Sequence, residues 1–519
     1  MNRRSTLPEP APLAIQAGLE AYEAPLDRFH AAHLLRRASF GVAPDRLADA
    51  LGQSAQTVVD GLVKEALFAA LPPRPAWADN APPPRGAPRQ QREAYDDANR
   101  DWKNEWIATW FTDMLRLGLR ERMTLFWHNH FVTEYRVYDL SPYAYRYTTV
   151  LRRHALRNAK DLVREVGFEP AMLLYLNGAQ NRARAPNENY ARELCELFTM
   201  GPVNERGVPN YTQEDIEEMA RALTGWTVDR SQLAAVFRPS RFDGRDKTIF
   251  GQTANWDYDS VVDLLFTVRR RAIAVFLARK LYREFVYAAP DETVVDALAE
   301  LFIRHDFEIA PVLSVLLSSA HFFDDQVIGA RVKSPVELLV GLLCDLDATP
   351  TPLAMDRLRV LTKRLKQSLL NPPNVAGWPG HHTWLSTTAI VERWTVTGQM
   401  INRFTNDNTL DLTALAETLY DPDGLPAVFA MPVALAEHLL SVPLDLLDLP
   451  TANLDFAGDL INNPLPRAVA DGPAYVRNLT KLLLDGIPWY EWDLARPNVP
   501  RYLRNYVRAL ISLPAFQLT

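Results

Sequence analysis

The chain is poor in cysteine and in uninterrupted apolar sequence. Its 519 residues hold two cysteines, Cys195 and Cys344, too few for a disulfide framework or a zinc knuckle. Free thiols fit a reducing compartment or simple burial. Cys195 stands among glutamates, which raise a thiol pKa, so it makes a poor nucleophile. No stretch reaches the roughly eighteen apolar residues that span a bilayer, and no membrane span is expected. Positive charge is not in excess either: the net charge is −7 with both signs mixed, which argues against nucleic acid as a partner. A glycine-rich phosphate loop and a serine nucleophile elbow are both missing. Met1-Asn2-Arg3-Arg4 has the charged start of an export signal, but prolines and acidic residues interrupt Ser5 to Asp27. Residues 1–27 read as a mobile lead-in, and the expected location is the cytoplasm, or outside it if a leader has been removed.

What remains is ordinary globular composition, 48% hydrophobic and 23% charged, enough for a large core. Helical spacing dominates and period-two runs are few, so the expected fold is mainly α: a multi-helix array with long loops and at most a small β-hairpin. Residues 28–402 form the expected core, with a proline- and arginine-rich excursion at 71–92. Residues 403–519 form a C-terminal helical region without a motif. Trp102, Trp106, Trp110 and Met114 recur every four residues as a core stripe. Thr212 and Asp215 predict a capped helix start, as does Ser334-Pro335-Val336-Glu337. Residues 227–259 read as loop with one small hairpin.

The most informative stretch is Pro186 to Gly201, read as one helix with Asn187 as its N-cap. Tyr190, Leu194, Leu197 and Phe198 share its apolar face. Asn189, Glu193 and Glu196 share a second face, and Glu188 and Arg192 stand one turn apart on a third.

Several separated strings together resemble the bacterial family called domain of unknown function 1800. They are His33-Leu34-Leu35-Arg36-Arg37-Ala38-Ser39-Phe40-Gly41, Glu121 through Phe131 (Glu-Arg-Met-Thr-Leu-Phe-Trp-His-Asn-His-Phe) and the Glu-rich helix. Tyr211-Thr212-Gln213-Glu214-Asp215, Ala222-Leu223-Thr224-Gly225-Trp226 and Pro372-Pro373-Asn374-Val375-Ala376-Gly377-Trp378-Pro379 complete the set. The family brings no settled activity or catalytic residues. The resemblance implies frequent export and a neighbouring alkaline-phosphatase-like family as a possible protein partner. Where the family tends to show His-Asp before a lysine, this chain has Phe242-Asp243 ahead of Lys247.

Two chemistries follow from the residues themselves. His128 and His130 form a His-x-His pair, the candidate ligands of a divalent transition metal, provided the helix ends before them so that both face one ion. Glu193 and Glu196 stand within one helix turn, where like charges raise one pKa and create a proton donor beside a carboxylate. Carboxylates on one turn flank a scissile bond poorly, so a partner from another segment is required, with Asp243, Asp215 and His130 as candidates. The expected function is a hydrolase acting on carbohydrate or another polar polymer. Glu188, Glu193, Glu196 and Arg192 are its catalytic candidates, and Asn187, Asn189, Trp226, Asp243, Lys247, Asn374 and Trp378 its substrate contacts. Arg36, Arg37, Lys280 and Lys333 are further cations that could orient an anion. The alternative is a non-catalytic binding or assembly protein whose polar helix is an internal ion-pair network.

Overall fold

In the computed structural model, which describes residues 10–421, 424–447, 449 and 462–519, the chain is mainly α-helical. The first nine residues of the expected lead-in lie outside the described residues. No described helix is long and apolar enough to cross a membrane. The 227–259 stretch holds two antiparallel hairpins instead of one, pairing Trp226–Asp229 with Ala234–Phe237 and Lys247–Ile249 with Gln252–Ala254. The chain divides into two compact units: Met1–Ala21, Val59–Phe322 and Ser368–Pro379 form one, and Tyr22–Val58, Phe323–Gln367 and Gly380–Thr519 form the other.

The first unit is organised by helices Arg89–Arg116, Gly118–His130 and Ser141–Arg153. Trp106, Trp110 and Met114 are buried, as their spacing requires. The excursion at 71–92 is pinned to this core by Trp77, whose ring stacks on Trp102 at 6.0 Å. Under the tryptophans lies a charged layer. Arg152 sits against the faces of Trp106 and Trp110 and donates from Nε to Glu121 Oε2 (2.9 Å), while Arg120 Nε reaches Glu121 Oε1 (3.2 Å). Glu121 is fully buried, so the acidic residue opening the Glu121–Phe131 string holds two guanidinium groups in the interior. Arg152 also reaches Asp113 Oδ2 at 3.5 Å, and removing Glu121 would leave Arg120 without its carboxylate and Arg152 with only this longer contact.

Helix Gln213–Ala222 begins at the expected capping box, with Thr212 and Asp215 each satisfying the other's backbone N–H. The Asp215 carboxylate also accepts from Phe250 N (2.7 Å).

In the second unit, helix Arg28–Ala38 carries Arg36 and Arg37 into the interior, both fully buried. They bind no open site. Arg36 donates to the carbonyls of His438 and Leu440, and Arg37 to those of Val327 (2.9 Å) and Thr519 (2.6 Å). Lys333 lies over the Phe516 ring at 4.1 Å, and burial holds its ammonium down at about 7. Helix Pro335–Asp345 opens at the Ser334/Glu337 capping box with Pro335 in its first turn.

Candidate functional site

The Glu-rich segment departs from a plain helix. Asn187 closes a local turn by accepting from Asn189 N (3.0 Å), and its own N–H donates to Asn181 Oδ1 (2.9 Å). Glu188, not Asn187, occupies the N-cap position. The α-helix runs only over Asn189–Glu193 and passes directly into a π-helix, Leu194–Thr199. Thr199 Oγ1 bonds Leu194 O five residues back (2.6 Å), and Met200 N and Gly201 N both reach Cys195 O. Such i→i+5 segments are rare and concentrate at functional sites. Tyr190, Leu194, Cys195 and Phe198 anchor the buried face, which leaves Glu193 and Glu196 partly exposed on the other side.

Two tyrosine hydroxyls pair with acids in this region. Tyr211 Oη donates to Glu196 Oε2 (3.2 Å), and Tyr175 Oη donates to Glu134 Oε1 (3.3 Å). Burial and then Glu196 raise the Glu193 carboxyl above the ordinary glutamate range. Burial and the neighbouring Glu196 push the Tyr211 phenol up to about 12. Tyr175 is raised by burial, by Glu134 and, more weakly, by Glu193, which places the Glu134, Tyr175 and Glu193 side chains in one electrostatic neighbourhood. Glu134 also holds Arg136 at 2.6 Å. All five side chains, Glu134, Tyr175, Glu193, Glu196 and Tyr211, are partly exposed. The region thus brings partly exposed carboxyl groups and two phenol hydroxyls to the site.

The three partners expected for the glutamate pair are all engaged elsewhere. Asp243 is clamped by Arg245 and Arg221 (2.6 and 2.9 Å), and those hydrogen bonds hold its carboxyl far below the ordinary range. Asp215 is consumed by its helix cap and Phe250. His130 faces the core. The carboxylate from a second segment is Glu134. It follows the helix that ends at His130 and occupies the N-cap position of Tyr135–Tyr138 without a side-chain cap bond.

Glu188 and Arg192 pair at 2.9 Å, and Gln213 bonds to both. These three side chains close a network of their own. Asn189 Nδ2 donates to Leu176 O (3.3 Å). Lys247 is buried, its ammonium donating to Asn255 Oδ1 and Trp256 O, both at 2.8 Å. Trp226 packs on Phe168 at 4.4 Å. Asn374 is exposed and caps its own turn through Ala376 N.

The His-x-His pair does not form a metal site. Helix Gly118–His130 continues through both residues, so their side chains diverge. His128 Nε2 accepts from Leu370 N (3.2 Å), whereas His130 Nε2 donates to Phe198 O (3.0 Å). The two rings are therefore opposite tautomers. Burial holds both near 3, with Lys280 adding to the effect at His130. Among the described residues no group of three or more His, Cys, Asp and Glu could hold a metal ion.

The residue between them explains the motif. Asn129 Oδ1 accepts from Trp378 N (2.7 Å) and its Nδ2 donates to Trp378 O (3.2 Å). Tyr135 N donates to Leu370 O and Arg136 N to Asn371 Oδ1. Leu370–Trp378 is thus laid along residues 128–136. Trp378 is buried and stacked on His128 at 5.7 Å. It is a packed corner, not a wall open to substrate.

The fold and site define a helical protein that carries paired acids and phenols beside a π-helix. The chain belongs to the family described as "Protein of unknown function (DUF1800)", which it matches over residues 33–487. No curated protein and no solved structure matches it.

Proposed function

We propose that this chain is an acid–base hydrolase whose working groups are Glu193, Glu196 and Glu134, assisted by Tyr175 and Tyr211. The observation that carries this reading is the half-buried Glu193, raised by burial and by Glu196 beside the hydrogen-bonded Tyr211–Glu196 pair. Glu193 holds the proton for a leaving group. Glu134, from a separate segment and hydrogen-bonded to Tyr175, takes the proton of the water that displaces that leaving group, a role for which Glu196, on the same turn as Glu193, is poorly placed. Hydroxyls and carboxylates together suit a hydroxyl-rich substrate, so carbohydrate or another polar polymer is the class to test. The rival reading, a binding or assembly protein, draws on the Glu188–Arg192–Gln213 network.

The test compares wild type with Glu193→Gln and Glu134→Gln on a panel of polysaccharides and aryl glycosides, scoring released reducing ends. Hydrolysis lost in both variants, each with unchanged near-UV circular dichroism, supports the proposal. Turnover that survives Glu193→Gln, or its absence from wild type across the panel, removes it.

A further inference from the structure

The π-helix leads into a second feature of the first unit. Met200 to Glu205 and Asn210 form one wall of a cavity of about 580 Å³, within the range of small-molecule sites. The opposite wall is one face of helix Arg270–Phe285. Along that face Ala272, Val275 and Phe276 come first, and Arg279, Lys280 and Arg283 follow, so the wall turns from apolar to cationic over three helical turns.

Internal pairing does not account for Lys280 at the cationic end. Arg279 is engaged with Glu292, and Glu205 at the rim is turned to Arg271 at 3.8 Å. Lys280 has neither a carboxylate nor a carbonyl in hydrogen-bonding range among the described residues. Its ammonium lies over the Phe276 ring at 5.4 Å. Burial and the charge of Arg283 hold that ammonium down at about 8, the direction a nearby anion would reverse. Asn210 Nδ2 is spent on the carbonyls of Met200 and Gly201, and Asn204 Oδ1 accepts from Val208 N, which leaves the Lys280 ammonium as a charged donor on the cavity lining.

We infer that this cavity binds a small amphipathic anion, with a phosphate or carboxylate head on Lys280 under the field of Arg283 and an apolar body against Phe276, Val275 and Ala272. The site is separate from the acid–phenol groups and does not depend on their being catalytic.

The experiment is calorimetric titration of the full chain with inorganic phosphate, hexyl phosphate and hexanoate at matched ionic strength. Saturable binding of hexyl phosphate or hexanoate is expected, and which of the two binds more tightly identifies the head group. Lys280→Gln should weaken it by about tenfold or more, as loss of a charged hydrogen bond does, while Lys280→Arg retains it within about threefold. Ala272→Phe, which fills the apolar end and leaves the cations in place, should abolish hexyl phosphate binding and serves if Lys280→Gln fails to fold. Failure of both tailed probes to bind, or equal binding to Lys280→Gln, overturns the inference. Inorganic phosphate binding as tightly as hexyl phosphate overturns the apolar body.

Discussion

Gly377 is the position where the packing of Leu370–Trp378 against the helix ending at His130 can be tested most sharply. Its φ is +80°, and a Cβ built there would stand 2.3 Å from Asn129 Oδ1 and 2.5 Å from Asn129 O. Gly207, in the same unit, has φ +73° and nothing within 4 Å of the corresponding point. Alanine at Gly207 therefore measures left-handed strain alone, about 1–2 kcal/mol. Alanine at Gly377 carries the same strain and must also push Asn129 away. That sacrifices the two Asn129–Trp378 hydrogen bonds, about 1 kcal/mol each, for a total of about 3–4 kcal/mol. At about 2 °C per kcal/mol for a unit this large, the expected losses in Tm are about 2–4 °C for Gly207→Ala and about 6–8 °C for Gly377→Ala. Thermal unfolding followed by tryptophan fluorescence reads both. Equal Tm values for the two variants would refute the contact argument, because strain would then be the whole cost.

Asn129→Ala should lower stability by about 2 kcal/mol, read by urea unfolding at constant m, since it removes both bonds to Trp378 and leaves its N–H unpartnered. Glu121→Ala should cost about 3–5 kcal/mol by the same assay because Arg152 and Arg120 lose their buried partner, and Glu121→Gln should cost less. Glu193 tests pH linkage. Its folded pKa lies above the ordinary 4.5, so its stability contribution is full below that value and is lost as pH rises through the folded pKa. Glu193→Gln, a mimic of the protonated form, should therefore match wild type in Tm near pH 4 and equal or exceed it at pH 8. A variant less stable only at pH 8 would mean that ionised Glu193 is stabilising, contrary to the burial argument.

Periodicity made the helices legible because burial of one face every 3.6 residues is a local property of the sequence. The Trp106–Trp110–Met114 stripe and the Thr212 and Ser334 helix starts follow from such local signals. The Glu193–Glu196 pair was legible for the same reason, since proximity of two carboxylates on one turn needs no tertiary information. Three features depend on contacts distant in sequence and were not. Asn129 looked like a spacer between two metal ligands, yet it meets Trp378, 249 residues away. Trp77 sits in a proline-rich run that composition assigns to a linker, and only the Trp102 face gives it a place to pack. Glu134 lacks helical phase with the Glu-rich segment, so its place in the site became visible only through Tyr175. The π-turn has the same origin. Tyr190 Oη meets Tyr258 Oη at 3.1 Å while Phe198 O receives His130 at 3.0 Å, which fixes the two ends of the segment against partners from different helices. Closing the interval with one residue more than an α-turn accommodates both anchors. In this account the residue that turns Glu193 and Glu196 outward together is set by the core beneath them, and repacking at Phe198 should disturb the carboxylate pair without touching it.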